Sequence, residues 1–126
     1  MKTPILHVED DRSLQNLVRA ALEHLGGYKV RTASNTNEAL LAAQEQAPRL
    51  LLLDFDLPGT SGIEVLRALR EIKGLRSVPV IFLTAVVDPK VLAELRSLDV
   101  QDVLQKPFRP RQLVETVARV LQGTGG

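Results

Sequence analysis

Two short runs, Leu50–Leu53 and Val80–Leu83, are apolar at every position. A strand with one wet face alternates apolar and polar residues. A strand that does not alternate must be covered on both faces, as in the middle of a parallel sheet. Three more runs of strand length, Ile5–Val8, Tyr28–Ala33 and Val100–Leu104, flank this pair. Between the strands lie segments of helical period. The first carries Leu14, Leu17, Val18, Ala21, Leu22 and Leu25, and the last carries Leu113, Val114, Val117, Val120 and Leu121; both are apolar stripes at i, i+3, i+4 spacing. Asp88-Pro89 and Arg109-Pro110 place proline at a first helical position. Ser61 and Glu64 have capping-box spacing, and Gly26-Gly27 closes the first helix.

Five such strand–helix units in 126 residues predict an α/β fold: a three-layer (βα)5 sandwich around a parallel five-stranded sheet. Right-handed crossovers leave few topologies, and the doubly wound order for five strands is 2-1-3-4-5, the flavodoxin-like arrangement. Residues 1–121 form the domain, and 122–126, ending Gly123-Thr124-Gly125-Gly126, read as a flexible tail. The formal net charge is only +1, which gives no argument for nucleic acid or a strongly charged partner. The longest apolar stretch, Val78–Val87, is interrupted by Pro79 and Thr84 and is too short for membrane insertion. Cysteine is absent, so thiolate metal sites and disulfides are excluded. A cytoplasmic protein is the expectation.

Sites in this architecture form beyond the carboxyl ends of the strands. The first strand runs into Glu9-Asp10-Asp11, the third into Asp54, the fourth into Thr84 and the fifth into Lys106. These strands are neighbours in the expected order, so the four groups converge. Two carboxylates about 4 Å apart repel by roughly 4 kcal/mol at an effective dielectric near 20. Glu9, Asp10 and Asp54 together therefore call for a proton or a cation among them, and oxygen ligands alone favour a hard ion such as Mg²⁺. A carboxylate nucleophile, a divalent cation, a lysine and a hydroxyl compose a phosphoryl-transfer site. Each residue also has a plain reading: Asp10 or Asp11 as a helix N-cap, Thr84 as a strand-end hydroxyl, Lys106 as a solvated lysine. Their arrival at four ordered strand ends is what the plain readings leave unexplained.

The segments Ile5–Asp11, Leu53–Gly62, Phe82–Ala85 and Gln105–Phe108 together resemble the receiver domain of two-component response regulators across essentially the whole chain, as a single-domain type. The resemblance implies that Asp54 accepts a phosphoryl group from a phosphohistidine on a sensor histidine kinase or histidine phosphotransfer protein. It implies Mg²⁺ held by Asp10, Glu9, Asp54 and the main-chain carbonyl of Asp56. Thr84 would hydrogen-bond the phosphoryl group, Lys106 would pair with it, and Lys106-Pro107 would be cis. The product is a switch that changes binding to a downstream protein, assisting its own phosphorylation and dephosphorylation without being a conventional turnover enzyme. One departure stands out. Receivers usually carry Tyr or Phe three residues before the lysine, and here that residue is Val103, whose stiff torsion has no ring to swing. Either the usual output route is altered, or Val103 only packs. Asp56 and Val86 are expected to set the lifetime of the phosphoryl group.

Two other functional readings compete, beside a receiver cut from a longer regulator or hybrid kinase. Asp54-Phe55-Asp56 imitates the opening of haloacid-dehalogenase-type phosphatases, but Leu57-Pro58 follow and the nucleophile is not on the first strand. A receiver-like binding module that is never phosphorylated is the other. His7, within an apolar strand, reads as a satisfied buried histidine rather than a metal ligand. His24 suits a helix C-terminus. Arg67, Arg70, Lys73 and Arg76, without aromatics nearby, read as a solvated face.

Overall fold

The computed structural model describes residues 2–85 and 88–124. Strands β1 (Pro4–Val8), β2 (Lys29–Ala33) and β3 (Leu50–Asp54) precede a small antiparallel hairpin, β4 (Asp56–Leu57) with β5 (Thr60–Ser61), which the apolar pattern does not announce. Strands β6 (Val80–Thr84) and β7 (Asp102–Gln105) complete the main sheet. Its order is β2-β1-β3-β6-β7, with every pairing parallel. With the hairpin set aside, that is the expected 2-1-3-4-5 order. The fold is flavodoxin-like. Every residue of β3 and β6 is buried, which accounts for their lack of alternation.

Helices α1 (Arg12–Ala20) and α5 (Pro110–Thr124) cover one face, packing on Ile5, Leu50, Leu52, Ile81 and Leu83. Helices α2 (Thr36–Glu45), α3 (Gly62–Arg70) and α4 (Pro89–Ser97) cover the other, against Leu6, Val8, Leu51, Leu53, Val80 and Phe82. Odd and even positions of one strand thus feed different cores, as the pleat requires.

The helix signals resolve into specific bonds. Asp88 accepts from the Lys90 N–H at 2.9 Å with Pro89 opening α4. Ser61 accepts from the Glu64 N–H at 3.3 Å, but Glu64 takes its second bond from the Thr60 hydroxyl at 2.6 Å, so the capping box is only half closed. After Ala20 the first helix widens into a π turn, Ala21–Leu25, closed by the Gly26 N–H on the Ala21 carbonyl. The wider turn carries Leu25 out of the apolar stripe and leaves it 63% exposed. Gly26 and Gly27 then end the helix, Gly27 at φ +74°. At the other terminus, α5 continues to Thr124. Gln122–Thr124, expected as tail, extend a helix already nucleated, at the cost of one more residue per added bond.

Among the basic residues read as a solvated face, Arg67, Lys73 and Arg76 are exposed. Arg70 is not: its guanidinium donates to the Leu75 carbonyl at 2.7 Å and the Val78 carbonyl at 2.6 Å. It fastens the α3–β6 connection immediately before the strand that carries Thr84.

Candidate functional site

Four strands end at one edge, and their ends are tied by main chain. The Glu9 N–H donates to the Ala33 carbonyl at 2.9 Å, carrying the β1–β2 ladder one residue past Val8. The Phe55 N–H reaches the Leu83 carbonyl and the Lys106 N–H reaches the Thr84 carbonyl, each at 2.8 Å. The parallel register therefore delivers Glu9, Asp54, Thr84 and Lys106 side by side. Lys106 Nζ lies 2.8 Å from Asp54 Oδ1 and 3.4 Å from Glu9 Oε1. Glu9, Asp10 and Asp54 each offer a carboxylate oxygen within 4.8 Å of the others. Asp56 lies in β4 with its N–H 3.4 Å from Asp54 Oδ1 and its side chain exposed. Thr84 is buried at the end of β6. The Lys106–Pro107 bond is cis.

The Glu9 and Asp54 side chains are only 1% and 4% exposed, and Lys106 is 23% exposed. Burial pushes the Glu9 carboxyl up to about 7; the Asp11 N–H pulls against this, and Asp54 adds to the rise. For Lys106, burial works downward, but the hydrogen bond and charge of Asp54, with Glu9, outweigh it and raise the ammonium. Three hard-oxygen carboxylates with one ammonium among them remain short of positive charge. That donor set fits a divalent cation.

The choice between Asp10 and Asp11 as cap is decided by backbone geometry. Asp11 is the N-cap of α1 and accepts from the Leu14 N–H at 3.1 Å. Asp10 is exposed and joins the acidic cluster. Gln15 carries no signal in the sequence pattern, yet its side-chain amide donates to the Glu9 carbonyl and to Ser34 Oγ, the latter at 3.2 Å. It ties α1 to the ends of β1 and β2 under the acids. Val103, half-buried on β7, pairs with Phe82 and packs against the core beneath α4. Val86 lies outside the described residues.

His7 differs from its reading. It is fully buried, as expected, but neither ring nitrogen has a hydrogen-bond partner among the described residues. Its strand position faces the α1–α5 core between Ile5 and the site. Burial lowers its pKa from 6.5 to about 3, with the charges of Lys106 and Arg19 acting the same way. Beside the site a mostly apolar groove of about 510 Å³ runs past Lys106 between Leu14 and Leu17 of α1 and the Pro107-Phe108 segment.

A family model for the response regulator receiver domain matches residues 5–118. The phosphate regulon transcriptional regulatory protein PhoB of Pseudomonas aeruginosa is 37% identical over 121 residues, or 96% of this chain and 52% of PhoB. The chain spans about half the length of the curated relatives it matches. Among solved structures, the Vibrio cholerae chemotaxis protein CheY4 superposes with a TM-score of 0.89 at 30% identity, covering 96% of this chain and 100% of that one. The receiver domain of sensor histidine kinase PA1611 from Pseudomonas aeruginosa superposes with a TM-score of 0.84 at 30% identity, covering 97% and 99%. That structure has a magnesium ion coordinated in its active site cleft.

Two outcomes follow from this geometry. Asp11→Ala is expected to lower stability by about 1 kcal/mol through loss of the cap while leaving magnesium affinity within twofold. Asp10→Ala is expected to do the reverse, weakening magnesium binding at unchanged urea midpoint; magnesium calorimetry with urea unfolding separates them. The second concerns His7. Its folded pKa is depressed, so the unfolded chain binds the extra proton between pH 6.5 and about 3. Its contribution is intact above the unfolded pKa and is lost on acidification, by up to ~1.4 kcal/mol per pH unit. Glu9, with a raised folded pKa, has the opposite slope: its contribution is full below the unfolded value and lost as pH rises through about 7. Subtracting the wild-type unfolding curve from that of His7→Leu removes the Glu9 part. The stability advantage of His7→Leu should grow steadily from pH 7 to pH 4, and parallel curves would contradict the assignment.

Proposed function

The chain belongs to the response regulator receiver domain family, and on that premise we propose that it is a magnesium-dependent phosphoacceptor switch of two-component signalling with Asp54 as the acceptor. The observation that carries the reading is the contact of Lys106 Nζ with Asp54 Oδ1 at 2.8 Å, made within a cluster that also holds Glu9 and Asp10. A lone structural lysine would pair with one acid. Here a single ammonium is set against three.

The Asp54 carboxylate attacks phosphorus in line with the leaving imidazole of a phosphohistidine; the new O–P bond forms as the N–P bond breaks, and the acceptor becomes an acyl phosphate. The donor is a sensor histidine kinase or histidine phosphotransfer protein, for which the groove at Leu14, Leu17 and Phe108 offers an apolar seat beside the acceptor. Lys106 passes its ammonium from the Asp54 carboxylate to the arriving phosphoryl oxygens. The Thr84 hydroxyl donates to the same group. Glu9, Asp10, Asp54 and the main-chain carbonyl of Asp56 would hold Mg²⁺, whose charge, when bound, offsets the negative charge on the transferring oxygens. Asp56 and Val86, two positions after the acceptor and two after Thr84 in the sequence, govern how long the acyl phosphate lasts. The phosphorylated form binds a downstream protein differently, the chain acts in the cytoplasm, and one phosphoryl group is taken per switching event rather than turned over as an enzyme would.

Incubation with acetyl phosphate and Mg²⁺, followed by intact mass measurement, is expected to show one base-labile phosphoryl adduct on the wild type and none on Asp54→Asn. No adduct at any magnesium concentration would favour a binding module, and turnover of a phosphomonoester would favour a phosphatase. Because the Glu9 carboxyl sits at about 7 and must lose its proton to help hold the cation, magnesium affinity should tighten as pH rises from 6 to 8. Glu9→Gln should flatten that dependence in a calorimetric titration.

A further inference from the structure

We propose that Gly62 is a positioning residue for the acceptor site: its bare α-carbon is the surface against which the Asp54 peptide is set, and this inference rests on the reading of Asp54 given above. Gly62 is the first residue of α3, directly after the Ser61 cap. Its φ is not in the left-handed region, so the backbone conformation there does not require glycine. Space does. A Cβ built on Gly62 would overlap the Asp54 carbonyl oxygen and stand 3.1 Å from the carbonyl carbon. The same Cβ would stand 2.7 Å from Cε1 of the Phe82 ring.

The carbonyl cannot simply retreat. Asp54 pairs with Leu83 at the end of the β3–β6 ladder, and the Phe55 N–H is bonded to the Leu83 carbonyl at 2.8 Å. On its other side the Phe55 carbonyl accepts from the Gly62 N–H at 2.9 Å. The chain therefore leaves β3, runs through the β4–β5 hairpin and returns to touch its own starting point. That closure holds the Asp54 peptide, the Phe55 peptide and the approach to Asp56 in one arrangement. A side chain at this position must push the Asp54 peptide toward the site or open the closure that places the Asp56 main chain. The first displaces the Asp54 carboxylate, whose Oδ1 lies 2.8 Å from Lys106 Nζ, and the second the Asp56 main chain; a misplacement of about 1 Å can cost on the order of 100-fold in rate.

The two close contacts separate packing from positioning. The Phe82 ring is a side chain, fully buried and edge-on to Phe55 with centroids 6.4 Å apart; the Asp54 carbonyl is backbone. Removing the ring relieves only the first. The test is a cycle of wild type, Gly62→Ala, Phe82→Leu and the double variant, each measured for urea midpoint, magnesium affinity and the rate of adduct formation from acetyl phosphate. The double variant is expected to lose less midpoint relative to Phe82→Leu than Gly62→Ala loses relative to wild type, since the added methyl then meets the Asp54 carbonyl but no ring. It is expected to form adduct at least tenfold more slowly than Phe82→Leu, because the carbonyl contact persists. A double variant that phosphorylates and binds magnesium within twofold of Phe82→Leu would overturn the proposal. One that does not fold would also overturn it, by placing the carbonyl contact in stability rather than in the site. Wild type and Asp54→Asn run alongside: absence of adduct on the wild type would defeat the functional reading alone. The Gly62 claim would then be decided by the Asp54–Lys106 separation in a crystal structure of the variant.

Discussion

The molecule is organised around a charge imbalance at one edge of its sheet. With Glu9, Asp10 and Asp54 ionised and Lys106 protonated, the cluster carries three negative charges against one positive, a net of −2. Two of the three acids are almost fully buried, so water cannot screen them well. The fold tolerates this by bringing Lys106 across 52 residues of sequence to Asp54 and 97 to Glu9, and by letting Glu9 hold its proton to about pH 7. Neither measure neutralises the site. A protein selected for stability alone would place apolar residues at these strand ends. The remaining deficit is what gives a divalent cation a favourable place to bind.

The geometry that holds this imbalance in place lies mostly in main chain. The bonds from Glu9, Phe55 and Lys106 continue the parallel ladders one residue beyond β1, β3 and β7, so the polar residues occupy the rigid sheet rather than loose loops. This explains why so much of the site was legible in the sequence. Each strand is an apolar run, each run ends on the first polar residue, and strand order follows from few allowed crossovers. The illegible parts share a different cause. Asp10 and Asp11 are adjacent acids before the same helix, and only the backbone angles at Asp11 decide which one caps. Gln15 works through a side-chain bond to a distant carbonyl, which leaves no periodic trace. The β4–β5 hairpin has two residues per strand, too few for alternation to register. The π turn uses the same apolar residues an α-helix would, and it shows itself only in Leu25 turning outward. His7 was placed correctly in the core, but nothing in the residue string tells whether its nitrogens meet a partner.

Beyond β6 the sheet ends in β7, the strand that runs into Lys106. Val103 faces the α4 core, on the same side of the sheet as Phe82, and packs there with Val91, Leu98 and Val100. Helix α4 is fixed by one fully buried side chain, Leu95, where α3 buries Gly62, Ile63, Val65, Leu66 and Leu69. Local opening is cheapest where few apolar contacts oppose it, so α4 resists displacement less than α3 does. An aromatic residue in place of Val103 would add a rotating ring beneath it. Valine cannot rotate in the same way, because its single torsion is stiff and its branch is already packed. What remains is backbone: Lys106 donates to the Thr84 carbonyl, Thr84 pairs with Gln105, and Phe82 pairs with Val103. On the proposed function, a shift of Thr84 toward a phosphoryl group would act on β7 through the ladder itself, and on α4 through the apolar seat that Val103 shares with it. Such a path, on the proposed function, would be carried by the sheet instead of by a side-chain rotamer.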